Sequence, residues 1–372
     1  MRLETKHLGD LVENLDSRRV PVASANREAG PYPYYGASGV VDHVADYLFE
    51  GDHLLLAEDG ENLRTRALPI AFLASGKFWV NNHAHVLRGR EGVADTRYLN
   101  YALACVDISG YLSGSAQPKL SQVSMNAIQL KVPPLCEQQA IAEVLGALDD
   151  KIEINRKIAS ISESLMIAMV SDLPRTARLK DIAISVKKIV SAAELVSGVI
   201  AHYSLPAFDQ GRLPVVEPGS GVKSGKLRIE CGRVLLSKLN PRFPRVWRVE
   251  NPLKNAVAST EFIVLESKLL PVAALWAVLA DDFTAHYLSE RAAGTSGSHQ
   301  RVSPEEIMLM PVPAEDGIDE QRKNRLRVLG KRADLARSES RTLASLRDAL
   351  LPALMNGTLR VKDAQERVSE VL

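Results

Sequence analysis

Cysteine is scarce in this sequence, and its scarcity limits the chemistry that the chain can carry. Cys105, Cys136 and Cys231 are the three cysteines among 372 residues. They lie far apart and lack the short spacings of zinc ligands, so we expect neither a disulfide framework nor a cysteine-based metal centre. The pattern suits a reducing compartment, and we expect all three to be structural.

Long apolar runs are also missing. No segment approaches the roughly 18 apolar residues of a membrane span, and the stretch from Met1 to Leu15 mixes charged with single apolar residues, unlike a signal sequence. The hydrophobic content of 46% is ordinary for globular protein, and the length allows two or more domains. We therefore expect a cytoplasmic protein that does not bind a membrane.

The chain has no overall excess of one charge, but it has strong local ones. The net charge is +1, yet Lys223–Arg248 contains eight basic residues against the single acid Glu230. Asp42–Glu61 contains seven acids and no lysine or arginine. The basic stretch is typical of a surface that faces phosphates, and a solvated charged face is the alternative.

An internal repeat is the most informative feature that is present. The matching pairs, in chain order, are Thr5–Leu11 with Thr176–Ile182, Leu54–Leu56 with Val234–Leu236, Val86–Leu87 with Val264–Leu265, Gly114–Gln117 with Gly297–Gln300, Ile128–Pro134 with Ile307–Pro313, and Glu137–Gln139 with Glu320–Arg322. A duplicated chain carries a pseudo-twofold internal repeat, which favours a twofold target such as duplex DNA over a single catalytic cleft.

Each copy begins with short strand-like runs separated by glycine, proline and asparagine turns, and the sequence predicts an α+β fold with two mixed α/β domains. The predicted strands are Val40–Val44, His53–Ala57 and Phe78–Leu87 in the first copy, and Arg233–Ser237 and Phe262–Leu265 in the second. Thr96–Val106 and Pro271–Leu288 are predicted to be helical.

A long helix is predicted in each copy after a pair of prolines. The first apolar stripe consists of Ile141, Leu145, Leu148 and Ile152 and then, with a phase shift, Ile154, Ile158, Ile161 and Leu165. The second consists of Leu326, Leu329, Ala333, Ala336, Leu343, Leu346, Leu350 and Leu354, with Pro352 marking an end or kink. The near-heptad spacing predicts two long, antiparallel, coiled-coil-like helices that act as spacers between the domains. Glu137–Val170 would span about 50 Å.

The predicted domain boundaries follow from these elements. They are residues 1–135 for the first mixed domain, 136–172 for the central spacer helix, 173–314 for the second mixed domain and 315–372 for the C-terminal spacer helix and tail.

The sequence contains no convincing catalytic constellation, phosphate loop or cofactor motif. His83 and His85 could ligate a metal from a strand, and Glu58 with Asp59 could add carboxylates, although an acidic glycine turn explains the latter pair more simply. The sequence thus favours a non-catalytic protein without a cofactor or metal. A standalone metal-dependent nuclease and a protein-binding scaffold are the alternatives.

Side chains suited to reading base edges lie in predicted turns. Asparagine and glutamine pair with adenine and arginine with guanine, while lysine and further arginines bind phosphate. The DNA-binding candidates are Gln117 and Lys119 in the first copy, and Lys238, Asn240, Arg242, Arg245, His299, Gln300 and Arg301 in the second. Gln117 and Gln300 could equally cap their loops.

Several motifs in a consistent order resemble the DNA-specificity subunit of type I restriction-modification systems. They are Tyr34–Gly39, Leu56–Gly60, Asn82–Leu87, Gly114–Ser121, Pro133–Ala142 running on to Leu148–Ile152, and Leu350–Gly357 as the closing segment. The resemblance spans nearly the whole chain.

This resemblance implies two target-recognition domains, each of which reads one half of a bipartite site on double-stranded DNA. It also implies partners: two methyltransferase subunits and, in the full complex, motor-nuclease subunits. Catalytic residues are not expected in such a subunit. Gln138, Glu143, Arg156 and Lys157, which we expect on the exposed sides of the long helices, are the candidate partner-binding residues. Tyr203–Phe208 has no counterpart in the first copy, so the two half-sites should differ.

Overall fold

The computed structural model describes residues 3–292 and 300–372, which form two compact units. Unit 1 comprises Met1–Ile154 and Glu339–Leu372, and unit 2 comprises Asn155–Ser338. Each unit contains one mixed α/β domain together with a segment of each of two long helices.

The strands of unit 1 are β1 (Glu4–His7), β2 (Val12–Asn14), β3 (Ala29–Gly36), β4 (Gly39–Val44), β5 (Phe49–Glu50), β6 (His53–Ala57), β7 (Ala71–Ala74), β8 (Lys77–Val80), β9 (Ala84–Gly89) and β10 (Gln129–Val132). They form two four-stranded sheets with the orders β2-β9-β6-β7 and β4-β3-β8-β5, and a separate pair, β1 and β10. Its shorter helices are α1 (Leu8–Leu11), α2 (Asn62–Thr65), α3 (Thr96–Cys105) and α4 (Gln122–Asn126).

Strand β6 is buried on both faces, which explains its uninterrupted apolar sequence. Leu54 and Leu56 belong to the core that contains α3, whereas Leu55 packs with Phe49 and Phe78 of the second sheet. Successive side chains of a strand point to opposite faces, so this single strand supplies both cores of the domain.

The strands of unit 2 are β11 (Ala177–Arg178), β12 (Ala183–Ser185), β13 (Ile189–Val190), β14 (Val199–Tyr203), β15 (Val215–Pro218), β16 (Lys226–Arg228), β17 (Arg233–Ser237), β18 (Val246–Val249), β19 (Ala256–Ala258), β20 (Phe262–Ser267) and β21 (Pro311–Val312). They repeat the sheet order of unit 1: β12-β20-β17-β18 corresponds to β2-β9-β6-β7, and the second sheet, β13-β16-β19-β14-β15, has one additional strand. Its shorter helices are α6 (Leu179–Ile182), α7 (Ala192–Leu195), α8 (Leu205–Asp209), α9 (Val272–Ala280), α10 (Asp282–Glu290) and α11 (Pro304–Met308).

Matched backbone hydrogen bonds identify equivalent residues of the two units. The Leu8 N–H donates to the Ile128 carbonyl at 2.8 Å, and the Leu179 N–H donates to the Met310 carbonyl at 2.9 Å. The expected correspondence of Leu8 with Leu179 is therefore confirmed. The expected match of Ile128 with Ile307 is wrong by three residues, because apolar letters on the short helix α11 resemble the strand that follows it.

The two long helices are α5 (Leu135–Ser171) and α12 (Glu320–Met355), and a short helix, α13 (Val361–Ser369), follows. Within unit 1, Asp149 of α5 pairs with Arg347 of α12, and Lys151 pairs with Glu339. Residue numbers increase along α5 as those of their partners decrease along α12, so these helix segments are antiparallel, as predicted. Pro352 lies inside the last turn of α12, where the helix is about to end.

The predicted apolar stripe of α5 is buried only in the first half of the helix. Ile141, Leu145, Leu148 and Ile152 are buried, but Ile154, Ile161 and Leu165 are 52%, 60% and 49% exposed. In unit 2 the buried face of this helix instead carries Asn155, Ala159, Ser162 and Met166, and Ala159 packs against Ala333 and Ala336 of α12. Small side chains at this contact favour close packing of the helices, and the larger isoleucines are placed outside.

Two further predictions are refined by the structure. Phe78–Leu87 forms two strands joined by a turn, and Pro271–Leu288 forms two helices that break at Asp281, whose side chain caps α10. None of the helices in the described residues is long and apolar enough to cross a membrane. The three cysteines are free and exposed.

Candidate nucleic-acid interface

In unit 2 the chain leaving β17 runs antiparallel to residues 300–302, which precede α11. The Asn240 N–H donates to the Gln300 carbonyl at 3.0 Å, and the Val302 N–H donates to the Lys238 carbonyl at 3.1 Å. We call residues 238–240 and 300–302 the unit 2 crossing. It brings together four of the predicted DNA-binding residues, namely Lys238, Asn240, Gln300 and Arg301. His299, another candidate, lies outside the described residues.

A short, rigid turn extends from this crossing. Asn240 has φ +54°, a left-handed conformation that asparagine tolerates better than most residues, and its carbonyl accepts from the Phe243 N–H at 3.1 Å. Pro241 and Pro244 restrict the turn further. Arg242 and Phe243 are exposed on it, and among the described residues the Arg242 guanidinium makes no ion pair.

Three other arginines of the basic stretch, Arg233, Arg245 and Arg248, are engaged within unit 2. Arg245 donates from Nε and Nη2 to Asp209, at 2.8 Å each, and this contact raises the pKa of Arg245. Arg233 pairs with Glu266 at 2.8 Å. Only part of the Lys223–Arg248 stretch is therefore available as a phosphate-facing surface.

Arg248 contradicts the expected solvent-facing patch most clearly. Its side chain is 3% exposed and donates to Asp334 at 2.6 Å and to the Gly330 carbonyl at 2.8 Å, both on α12. Its guanidinium also lies over the Trp276 ring, 5.5 Å from the ring centroid. A buried guanidinium needs such partners, and Arg248 thereby holds β18 against α12.

Unit 1 has an equivalent crossing at residues 58–60 and 118–120. The Gly60 N–H donates to the Pro118 carbonyl at 3.1 Å, and the Leu120 N–H donates to the Glu58 carbonyl at 2.8 Å. Gly60 has φ +111° and corresponds to Asn240. Lys119, a predicted DNA-binding residue, lies here with a 56% exposed side chain and a 3.5 Å contact to Glu58.

The predicted pairing of Gln117 with Gln300 is wrong by one residue. Gly60 and Asn240 are equivalent, and their N–H groups bind Pro118 and Gln300 respectively, so Gln300 corresponds to Pro118. The repeated Gly-Ser and Gln letters suggested the other register, which the backbone does not follow. Gln117 is nevertheless exposed in the turn beside the crossing, as the sequence predicted.

Asp16, Glu58 and His85 place three possible metal-ligand atoms within 4.8 Å of one another. The Arg19 guanidinium already supplies positive charge there, 2.9 Å from Glu58 and 3.4 Å from Asp16. His85 is buried, with Nδ1 2.6 Å from Asp16 and Nε2 2.9 Å from the Leu120 carbonyl, so both ring nitrogens face proton acceptors.

Burial alone would raise the pKa of Asp16, but its hydrogen bonds with His85 and with the Val86 N–H hold that pKa below its ordinary value. The arrangement is that of an ion-pair network that fixes the crossing. His83 lies apart from it, half exposed, with Nδ1 2.8 Å from Asp59.

The candidate partner-binding residues differ in exposure. Glu143, Arg156 and Lys157 are exposed on α5. The expected exposure of Gln138 is wrong, because its side chain is 1% exposed. It accepts from the Asp95 N–H at 3.1 Å and donates to the Pro133 carbonyl at 2.9 Å, so it holds the start of α5 against the start of α3.

The sequence profile of the type I restriction modification DNA specificity domain matches residues 2–161. A type I restriction enzyme specificity subunit of Haemophilus influenzae is 36% identical over 147 residues, which is 39% of this chain and 37% of the relative. Residues 2–161 therefore match this domain family, and this part of the chain is similar in sequence to type I specificity subunits.

Other relatives match a similar part of the chain. A type I specificity subunit of Mycoplasma pneumoniae is 27% identical over 150 residues, covering 39% of this chain and 60% of that protein. The matches therefore span between about a third and three fifths of these specificity subunits' own length.

The fold is shared over a greater length than the sequence. The crystal structure of the S subunit of a type I restriction-modification system from M. genitalium superposes with a TM-score of 0.60 at 16% identity, covering 95% of this chain and 96% of that one. This likeness shows a shared fold that includes unit 2.

Proposed function

We propose that this chain is the sequence-specific DNA-recognition subunit of a type I restriction-modification complex. Each unit reads one half of a bipartite, asymmetric site on double-stranded DNA. The observation that carries the proposal is the pair of crossings, in which one backbone arrangement presents different polar side chains in the two units. A duplicated scaffold with divergent tips is suited to reading two different half-sites.

The proposed contact surface in unit 2 is the crossing together with the exposed turn at Arg242. Lysine and arginine on such a turn neutralise phosphates, while Asn240, Gln300 and Arg301 supply the groups that pair with base edges. In unit 1, Gln117 and Lys119 occupy the equivalent place.

We further propose that the chain recruits two methyltransferase subunits, and motor-nuclease subunits in the full complex, and itself carries no catalytic residues or cofactor. Glu143, Arg156 and Lys157 on the outer side of α5 are the proposed contacts with the partners. The exposed Ile161 and Leu165 on the same helix add apolar area, which protein interfaces use at their centre.

A domain exchange tests the recognition role. Residues 1–135 are replaced by the matching segment of another specificity subunit, the chimera is produced with its methyltransferase partners, and methylated bases are mapped across the genome. We expect one half of the methylated motif to change and the other half to stay. A motif unchanged in both halves would favour a pure scaffold.

The nuclease alternative is tested on the purified chain with Mg²⁺ and DNA. Arg19 already neutralises the carboxylates near His85, and Asp59 is bonded to His83, so we expect no cleavage. Cleavage that Asp59→Ala abolishes would contradict the proposed function.

A further inference from the structure

The two crossings carry different side chains at identical backbone positions. The Glu58 N–H donates to the His83 carbonyl at 2.9 Å, and the Lys238 N–H donates to the Glu261 carbonyl at 2.8 Å. Isolated bridges pair Asp59 with Lys119 and Leu239 with Arg301. His83 therefore corresponds to Glu261, and Lys119 corresponds to Arg301.

In unit 2 these positions form a bidentate ion pair. Arg301 donates from Nε and from Nη2 to the two carboxylate oxygens of Glu261, at 3.1 Å each, and remains 51% exposed. Two Nη1 hydrogens and one Nη2 hydrogen are left at the other end of the guanidinium. This end presents the fork that pairs with O6 and N7 of guanine in the major groove, and Glu261 orients it in advance.

In unit 1 His83 takes the place of Glu261 but pairs with Asp59, the residue equivalent to Leu239, and the group that it exposes has the opposite hydrogen-bonding character. Nδ1 of His83 lies 2.8 Å from a carboxylate oxygen of Asp59, and the ring is 49% exposed. The carboxylate favours the tautomer with the proton on Nδ1, which leaves Nε2 as an acceptor. An acceptor in the major groove matches the amino group of adenine or cytosine.

We propose that the Asp59–His83 pair and the Glu261–Arg301 pair are specificity-determining pairs of the two units. His83 Nε2 accepts from the amino group of adenine or cytosine in one half-site, and Arg301 donates to guanine in the other. The proposal rests on the proposed function and adds His83, Asp59 and Glu261 to the residues that select the sequence.

The test selects DNA from a pool of random duplexes with the full chain and its methyltransferase partners, and sequences what is enriched. For His83→Ala we expect the preference at one position of one half-site to fall about tenfold, in the range of a lost base contact, with the other half-site unchanged. Arg301→Ala should remove a guanine preference in the other half-site only. Glu261→Gln should weaken that same guanine preference to a smaller extent, because the guanidinium is less firmly oriented.

His43→Ala is the matched control, because His43 is exposed on β4, outside the crossing, and its loss should leave the motif intact. Asp59→Asn provides a second variant that keeps the His83 ring: it should weaken the preference at the same position as His83→Ala, since the tautomer is no longer fixed.

Preferences that stay intact in the His83, Asp59 and Arg301 variants would overturn the inference, and so would a uniform loss of binding across all positions, which indicates a structural role. A wild-type complex that enriches no sequence would instead overturn the proposed function itself.

Discussion

Neighbouring arginines of the basic stretch in unit 2 differ in whether they have a partner within the unit. Arg248 is buried against α12, and Arg245 is held by Asp209, whereas Arg242 is exposed on a turn restricted by prolines. Side chains with internal partners stabilise the unit, and an exposed cation is available to a polyanion. The same letter thus has two roles within seven residues of chain.

Arg242→Ala should weaken DNA binding by the assembled complex without lowering its thermal unfolding midpoint. Loss of one phosphate contact reduces the slope of log K against log salt by about 0.9. Binding measured across a salt series checks this, with the exposed Arg332→Ala on α12 as the control. An unchanged slope would remove the turn from the interface.

Arg245→Ala should also weaken binding, but with a lower unfolding midpoint, because the ion pair with Asp209 is lost. Comparing the two variants separates a direct contact with DNA from support of the turn. Equal midpoints for both would contradict the division of roles drawn from the structure.

For single residues, the sequence identified side chains of suitable chemistry more reliably than it predicted which side chains are buried. Lys238, Asn240, Gln300 and Arg301 were selected for their chemistry, and the structure brings them to one place. Gln138 and Arg248 were expected at the surface but are buried, because their partners come from segments remote in the sequence. His83 was considered only as a metal ligand, since the equivalence with Glu261 is visible only in the backbone hydrogen bonds.

Among the elements, Glu163 of α5 joins three segments of unit 2. It pairs with Arg337 of α12 and with Arg212, which follows α8, and its side chain is 13% exposed. Burial would raise the pKa of Glu163, but the hydrogen bond and charge of Arg337, with Arg212, hold it below the ordinary value of 4.5.

Glu163→Gln should lower the unfolding midpoint of unit 2 near neutral pH, by a destabilisation of about 2 kcal/mol for the lost charge-assisted bonds. The lowered pKa means that the contribution is full above about 4.5 and is lost as the pH falls from there through the folded-state value. The midpoints of variant and wild type should therefore converge in acid, measured by calorimetry, with Glu143→Gln as the exposed control. A constant difference at every pH would refute this assignment.

Strand β6 and the first half of α5 were predictable because burial on both faces, or on one helical face, leaves a regular apolar pattern. The second half of α5 was not. Its contact with α12 uses Ala159, Ala333 and Ala336, and small residues give a weak apolar signal beside the larger Ile154 and Ile161. The periodicity therefore identified the helix and misplaced its buried face.

For the whole molecule, α5 passes from unit 1 into unit 2 without a break, and α12 returns from unit 2 to unit 1. We propose that the length of these helices sets the number of base pairs between the two half-sites. The proposal rests on the continuity of the two helices, because an α-helix has a fixed rise per residue and its length is therefore set by its number of residues.

Deleting seven residues from each helix, Ile152–Ile158 and Arg337–Leu343, preserves the near-heptad phase and removes about 10 Å. The gap between half-sites should shorten by about three base pairs at 3.4 Å each, while the half-sites keep their sequences. Mapping of methylated bases in cells checks this. A methylated motif with the original gap would end the spacer proposal, and wild-type chain mapped in parallel is the control.

The passage of the chain through both units also constrains how the protein is made. Leu343, Leu350, Leu354, Ala364 and Val368, from the last part of the chain, belong to the same core as Leu54 and Leu145 of the first part. Unit 2 is contained between Asn155 and Ser338 and has all its residues before unit 1 does. Unit 1 emerges first from the ribosome, but its hydrophobic core stays incomplete until the C-terminal end of α12 has been synthesised. A chain cut short after unit 2 would lose not its last domain but the integrity of its first.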